Sequence, residues 1–88
     1  MKIPGGKMVC VKVEYSDRIE RIEILGDFFL HPESAIGEME GSLVSANVNE
    51  SMESLSRRIS DAISRRGAEL IGITPNAIAE VVLKAVGR

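Results

Sequence analysis

The sequence predicts an α+β domain: a small antiparallel sheet, built from an N-terminal β-hairpin and a short third strand, with three helices packed on one face. The expected order is β-β-α-α-(β)-α. Three observations predict it. Two runs near the start alternate apolar and polar residues with a period of two, the mark of half-buried strands. From residue 32 onward the apolar spacing changes to three and four, the helical period. At 88 residues, 44% hydrophobic and 27% charged, the chain has the size and composition of one globular domain, 1–88.

The first run is KMVCVKVEY, residues 7–15. Val9, Val11, Val13 and Tyr15 fall on one face, and Met8, Cys10, Lys12 and Glu14 on the other. Ser16-Asp17-Arg18 is a polar turn. The returning run, IERIEILGD, puts Ile22 and Ile24 on one face with Arg21 and Glu23 opposite. Ile19 is out of phase with them, which predicts a bulge or a twisted strand start. The first helix is expected over 32–44. Pro32 suits a first helical position, Glu33 the positive end of the dipole, and Ile36, Met39, Leu43 and Val44 form the stripe. Ser45 to Asn49 read as a polar connection. The second helix runs from about Glu50 to Arg66, with Met52, Leu55, Ile59, Ala62 and Ile63 inward and Gly67 as its left-handed cap. AELIGI, residues 68–73, reads as the short third strand. Thr74-Pro75 is a helix start, and Ile78, Val81, Val82 and Ala85 face inward from the last helix.

Composition narrows the function. A net charge of −2 gives no general attraction for nucleic acid or anionic membrane. No apolar run approaches the length that spans a bilayer, and residues 1–6 lack a secretion signal. One cysteine, Cys10, allows no internal disulfide and no metal cluster. A cytoplasmic protein is expected. No catalytic constellation is assembled and no metal site is assigned. His31 precedes a proline in a turn without an orienting partner, as a structural or exposed histidine does. Cys10, inside a strand, reads as a buried and inert thiol. Arg57, Arg58, Arg65 and Arg66 read as a solvated helix face, with Glu53–Arg57 and Asp61–Arg65 pairs at i,i+4.

Three short motifs remain. Pro4-Gly5-Gly6-Lys7 lacks the spacing, the following Ser or Thr, and the strand-to-helix setting of a phosphate loop. Gly5 and Gly6 still let the backbone approach a ligand or partner, and Lys7 could reach an anion; the alternative is a flexible lead-in with a solvated lysine. Gly37 and Gly41, four apart in the first helix, cost about 1 kcal/mol each against alanine. That cost suggests a groove where another backbone comes close, unless a short helix simply tolerates them. Gly26-Asp27-Phe28-Phe29 places both phenylalanines of the chain side by side. Asp27 is expected to fix the turn through backbone N–H bonds.

Taken in order, Pro4-Gly5-Gly6-Lys7, Gly26-Asp27-Phe28-Phe29 and the proline-headed helix with Met39-Glu40 resemble the small C-terminal accessory domain of lipoate–protein ligases. The resemblance spans nearly the whole chain. With only Lys2 and Ile3 between Met1 and the first motif, it implies the separate small subunit of a two-chain ligase, an arrangement known among archaea. It further implies a large catalytic subunit as partner, ATP, magnesium and lipoate as the needs of the complex rather than of this chain, and lipoyl carrier proteins as final acceptors. The small subunit would serve the step that forms lipoyl-AMP. Gly5, Gly6, Lys7, Asp27, Phe28 and Phe29 are the candidates for contact with partner or ligand. One phenylalanine would enter the local core and the other face outward as an anchor, or both would fill the core. A nucleic-acid module would need a basic face or stacking aromatics, which are lacking. The remaining alternative is a small-ligand regulatory or protein-interaction module.

Overall fold

The computed structural model describes residues 8–87. Its elements are β1 (Val9–Tyr15), β2 (Ile19–Gly26), β3 (Phe29–His31), α1 (Ala35–Gly41), α2 (Met52–Arg65), β4 (Glu69–Ile71) and α3 (Pro75–Ala85). The α+β class holds, with one strand more than expected. The strands form two separate two-stranded sheets, β1–β2 and β3–β4, in place of a single sheet.

The β1–β2 hairpin is antiparallel, with Val11 opposite Ile24 and Val13 opposite Ile22. Its register shifts between Glu14 and Tyr15, so that Tyr15 pairs with Ile19. This is the expected bulge: the extra residue brings Ile19 back onto the inner face, where it is buried. Helices α3 and α2 pack together, α3 also lies against β1, and α1 bridges α2 and β2. Val9, Ile24, Met39, Leu43, Leu55, Ile59, Ile78 and Val82 are fully buried between these layers. Each such side chain contributes about 1.5–3 kcal/mol of burial energy.

The first helix is shorter than the expected 32–44. Pro32 follows a cis peptide bond and stands outside the helix, and Ser34 holds the N-cap position. After Gly41 the winding tightens: Leu43 N–H donates to the Glu40 carbonyl at 3.0 Å and Val44 N–H to the Gly41 carbonyl at 3.3 Å. Bonds that span three residues instead of four rotate the following side chains. Leu43 therefore points inward while Val44, expected in the stripe, is exposed.

The connection at 45–49 is more than a linker. Ser45 N–H donates to the Ile19 carbonyl (2.7 Å), Ile19 N–H donates to the Ala46 carbonyl (2.9 Å), and Ala46 is fully buried. This segment thus docks against the start of β2. Helix α2 begins at Met52, later than the expected Glu50, because Ser51 Oγ accepts from Ser54 N–H at 3.1 Å and caps it there. It ends at Arg65 with Arg66 as C-cap, and Gly67 follows with the expected left-handed φ of +59°. Thr74 Oγ1 accepts from Ala77 N–H at 3.1 Å, so α3 has the predicted cap.

Candidate functional site

The end of the hairpin is stitched to the segment that carries the aromatics. Asp27 N–H donates to the Met8 carbonyl at 2.8 Å, and Met8 N–H donates back to Asp27 Oδ2 at 3.2 Å. The Asp27 carboxylate accepts a backbone N–H as its type suggested, but from Met8, the residue before β1, not from within its own turn. Gly26 is required here for space. A Cβ on it would stand 2.4 Å from the Met8 carbonyl oxygen and 3.0 Å from Val9 Cα. The residue that follows the Pro-Gly-Gly-Lys motif is therefore bonded directly to the Gly-Asp-Phe-Phe motif. Gly5, Gly6 and Lys7 lie outside the described residues.

The two phenylalanines diverge. Phe28 is half-buried and packs against the core, whereas Phe29 is 74% exposed. The divergence has a simple origin: Phe29 opens β3, and alternation sends it outward while Leu30 goes inward. Phe29 pairs with Ile71, Leu30 with Leu70, and His31 with Glu69. Directly opposed residues share a face, so Phe29, Ile71, His31 and Glu69 form the outer side of this ribbon. Ile71 is 47% exposed. A Cβ on Gly72 would lie 3.6 Å from the Asp27 carbonyl oxygen and 3.7 Å from Phe28 Cα, so the turn after β4 rests on the turn after β2. From Gly72 an open groove of about 590 Å³ continues along Ile73, Thr74, Asn76 and Ala77, with Met52 and Glu80 at its sides. The partnership of Ile71 with Phe29 and of Gly72 with Phe28 leaves no local trace in the sequence, because it depends on pairing across the intervening helices.

Other expectations need correction. Cys10 is exposed, not buried: it stands opposite Leu25 on the outer side of the hairpin, which the helices do not cover. A Cβ added at Gly37 or Gly41 would meet nothing within 4 Å beyond its own helix, so no other backbone of the described residues approaches these glycines. Glu40, of the Met39-Glu40 pair, accepts from Ile24 N–H at 2.8 Å. It thereby satisfies the outer edge of β2. His31 is exposed at the end of β3.

The arginines at 57–66 pair as expected only in part. Glu53–Arg57 forms at 3.4 Å but is almost fully solvated, and such pairs contribute little. Arg58 instead grips Glu50, with Nε to Oε1 at 2.5 Å and Nη2 to Oε2 at 3.1 Å. This two-pronged bond holds the Glu50 carboxyl below the ordinary carboxylate range, against the opposing effect of its burial. The same bond raises Arg58. Arg66 reaches Glu38 at 3.1 Å and Ser34 Oγ at 2.8 Å. Among the described residues no group of three His, Cys, Asp or Glu side chains could hold a metal ion. No helix among them is long and apolar enough to cross a membrane.

The fold and this surface define a small α+β module with an exposed apolar pair, Phe29 and Ile71, on its β3–β4 ribbon. Among solved structures the chain is similar to one from an archaeal lipoylation system, a bi-partite lipoate protein ligase and its E2 lipoyl domain from Thermoplasma acidophilum. The two share 26% sequence identity and superpose with a TM-score of 0.67, over 86% of this chain and 82% of that one. No protein-family model and no curated protein matches the chain. The likeness to the lipoate protein ligase system agrees with the motif resemblance.

Proposed function

We propose that this chain is the small subunit of a two-chain lipoate–protein ligase, required when the large subunit joins lipoate to ATP to form lipoyl-AMP. The structural likeness to the bi-partite ligase system over most of both chains carries this reading. On the described residues, the carrier domain of such a system is a less suitable match. An acceptor lysine must stand clear so that an enzyme pocket can close around it. The described lysines lie in the middle of β1 (Lys12) and on the last turn of α3 (Lys84), and the hairpin turn 16–18 has none.

In this two-chain arrangement the large subunit holds metal, nucleotide and lipoate. The small chain acts by position. It closes over the reacting groups, excludes water and holds the ATP α-phosphate near the lipoate carboxylate. Transfer to the carrier lysine needs a more open arrangement and proceeds without it. The test is pyrophosphate release and carrier lipoylation by the large subunit, with and without this chain. The large subunit alone should fail to release pyrophosphate yet lipoylate the carrier from preformed lipoyl-AMP. Unchanged pyrophosphate release without the small chain would refute the assignment.

A further inference from the structure

We infer that the outer face of the β3–β4 ribbon is the docking surface of this chain, and that it takes a partner presenting an apolar cleft rimmed by lysine or arginine. The inference rests on the proposed ligase assignment for the identity of that partner, the large subunit.

Two observations locate the surface. Phe29 is the most exposed of the large apolar residues described, and it stands directly opposite Ile71, itself 47% exposed. A paired Phe and Ile on a two-stranded ribbon make an apolar knob, because the ladder beneath them fixes both backbones and sets the two side chains next to each other. The inward pair, Leu30 and Leu70, anchors that ladder to the core. Beside Ile71, the groove from Gly72 to Ala77 extends the apolar surface toward Met52. Clustered apolar exposure of this kind marks an interface more often than scattered residues do.

Charge then fixes the chemistry of the occupant. Residues 26–56 and 67–83 contain no lysine or arginine. Around the knob they supply Glu33, Glu69 and Glu80, none of them in a salt bridge among the described residues, and Asp27, whose carboxylate accepts one backbone bond. Arg66, at the end of α2, is engaged by Glu38 and Ser34. Among the described residues His31 is the one basic type on this face, paired with Glu69, so the described rim is acidic, and a cationic rim on the partner is its complement. The outer face of the hairpin offers no such signal. There Lys12 faces Glu23 and Glu14 faces Arg21, so opposite charges answer each other within the chain.

The test uses the full chain with the large ligase subunit, and amide hydrogen exchange of the small chain in the free and mixed states. Protection on mixing should concentrate at residues 28–31 and 69–72. The double variant Phe29→Thr/Ile71→Thr keeps β-forming residues on an exposed face, so its circular dichroism should match the parent. It should weaken binding about 30-fold or more, as loss of a central aromatic anchor does. Glu33→Lys/Glu69→Lys should slow association about tenfold at low salt, with the deficit shrinking as salt rises. Binding with protection confined to the hairpin face, or with both double variants unaffected, would overturn the surface while leaving the ligase assignment standing. Absence of any binding by the parent chain would overturn the assignment and this occupant together. A dimer of the small chain that the Phe29→Thr/Ile71→Thr variant abolishes would show a second copy as the occupant and likewise overturn the inference.

Discussion

Replacing Gly26 with alanine tests the stitched hairpin end most directly. The new Cβ would lie 2.4 Å from the Met8 carbonyl oxygen and 3.0 Å from Val9 Cα, both backbone atoms. Neither can turn aside as a flexible side chain could, so the strand ends must separate. That movement breaks the 2.8 Å bond from Asp27 N–H to Met8 and the 3.2 Å bond returned by Met8 N–H. Each contributes about 1 kcal/mol net. Some strain persists after relaxation, since inserting one carbon into a filled space costs about 1–3 kcal/mol by itself. Partial relaxation makes the two costs overlap, and a loss of about 2 kcal/mol is the expected result. For a domain of this size that lowers Tm by roughly 8–16 °C. Gly37→Ala is the matched control: its Cβ meets open space, and it should stabilise by about 0.5–1 kcal/mol. Thermal unfolding followed by circular dichroism measures both. A Gly26→Ala protein that melts within about two degrees of the parent would refute the steric reasoning.

Two further substitutions probe polar contacts. Glu40→Ala removes the acceptor at 2.8 Å from the N–H of Ile24, a buried residue, and should cost about 1–2 kcal/mol in urea unfolding, while Glu40→Gln recovers most of it. Glu50 is held below its ordinary value of 4.5 by Arg58, so the pair stabilises the fold above that pH and its contribution is lost as pH falls through the depressed folded value; the stability difference between the parent and Glu50→Gln should vanish over that acid range, and a constant difference from neutral to strongly acid pH would exclude the linkage.

The fold is legible in the sequence where local physics decides. The Val9–Val13 alternation, the out-of-phase Ile19, the cap at Thr74 and the left-handed Gly67 are each set by residues within a few positions of one another. The divergence of Phe28 and Phe29 stays open at that level and depends on where a strand begins. Strand β3 has only three residues, too few for a period of two to stand out, and its partner Ile71 comes after two helices. Pro32 misleads because proline is compatible with the turn before a helix as well as with its first residue. Glu40 and the Glu50–Arg58 grip are hidden for a related reason: a charged side chain reads as solvated until tertiary packing brings it a donor. Cys10 reads as interior because a thiol in a strand usually is buried, yet the hairpin has only one covered face.

The division into two ribbons bears on how the chain reaches its native state. The β1–β2 hairpin joins strands separated by a three-residue turn, Ser16 to Arg18, and closing so short a loop is fast. Strand β3 follows β2 almost at once, yet its partner lies about forty residues further along, so its pairing carries a far larger loop-closure entropy. That entropy is recovered only when α1 and α2 have condensed and bring β4 back to the growing nucleus. Loop-closure entropy therefore favours the hairpin first, then α1 and α2, and the ribbon after them. The ribbon holds Phe29 and Ile71 side by side, and a nascent chain would not display that apolar pair as a unit until β4 had emerged and α1 and α2 had condensed.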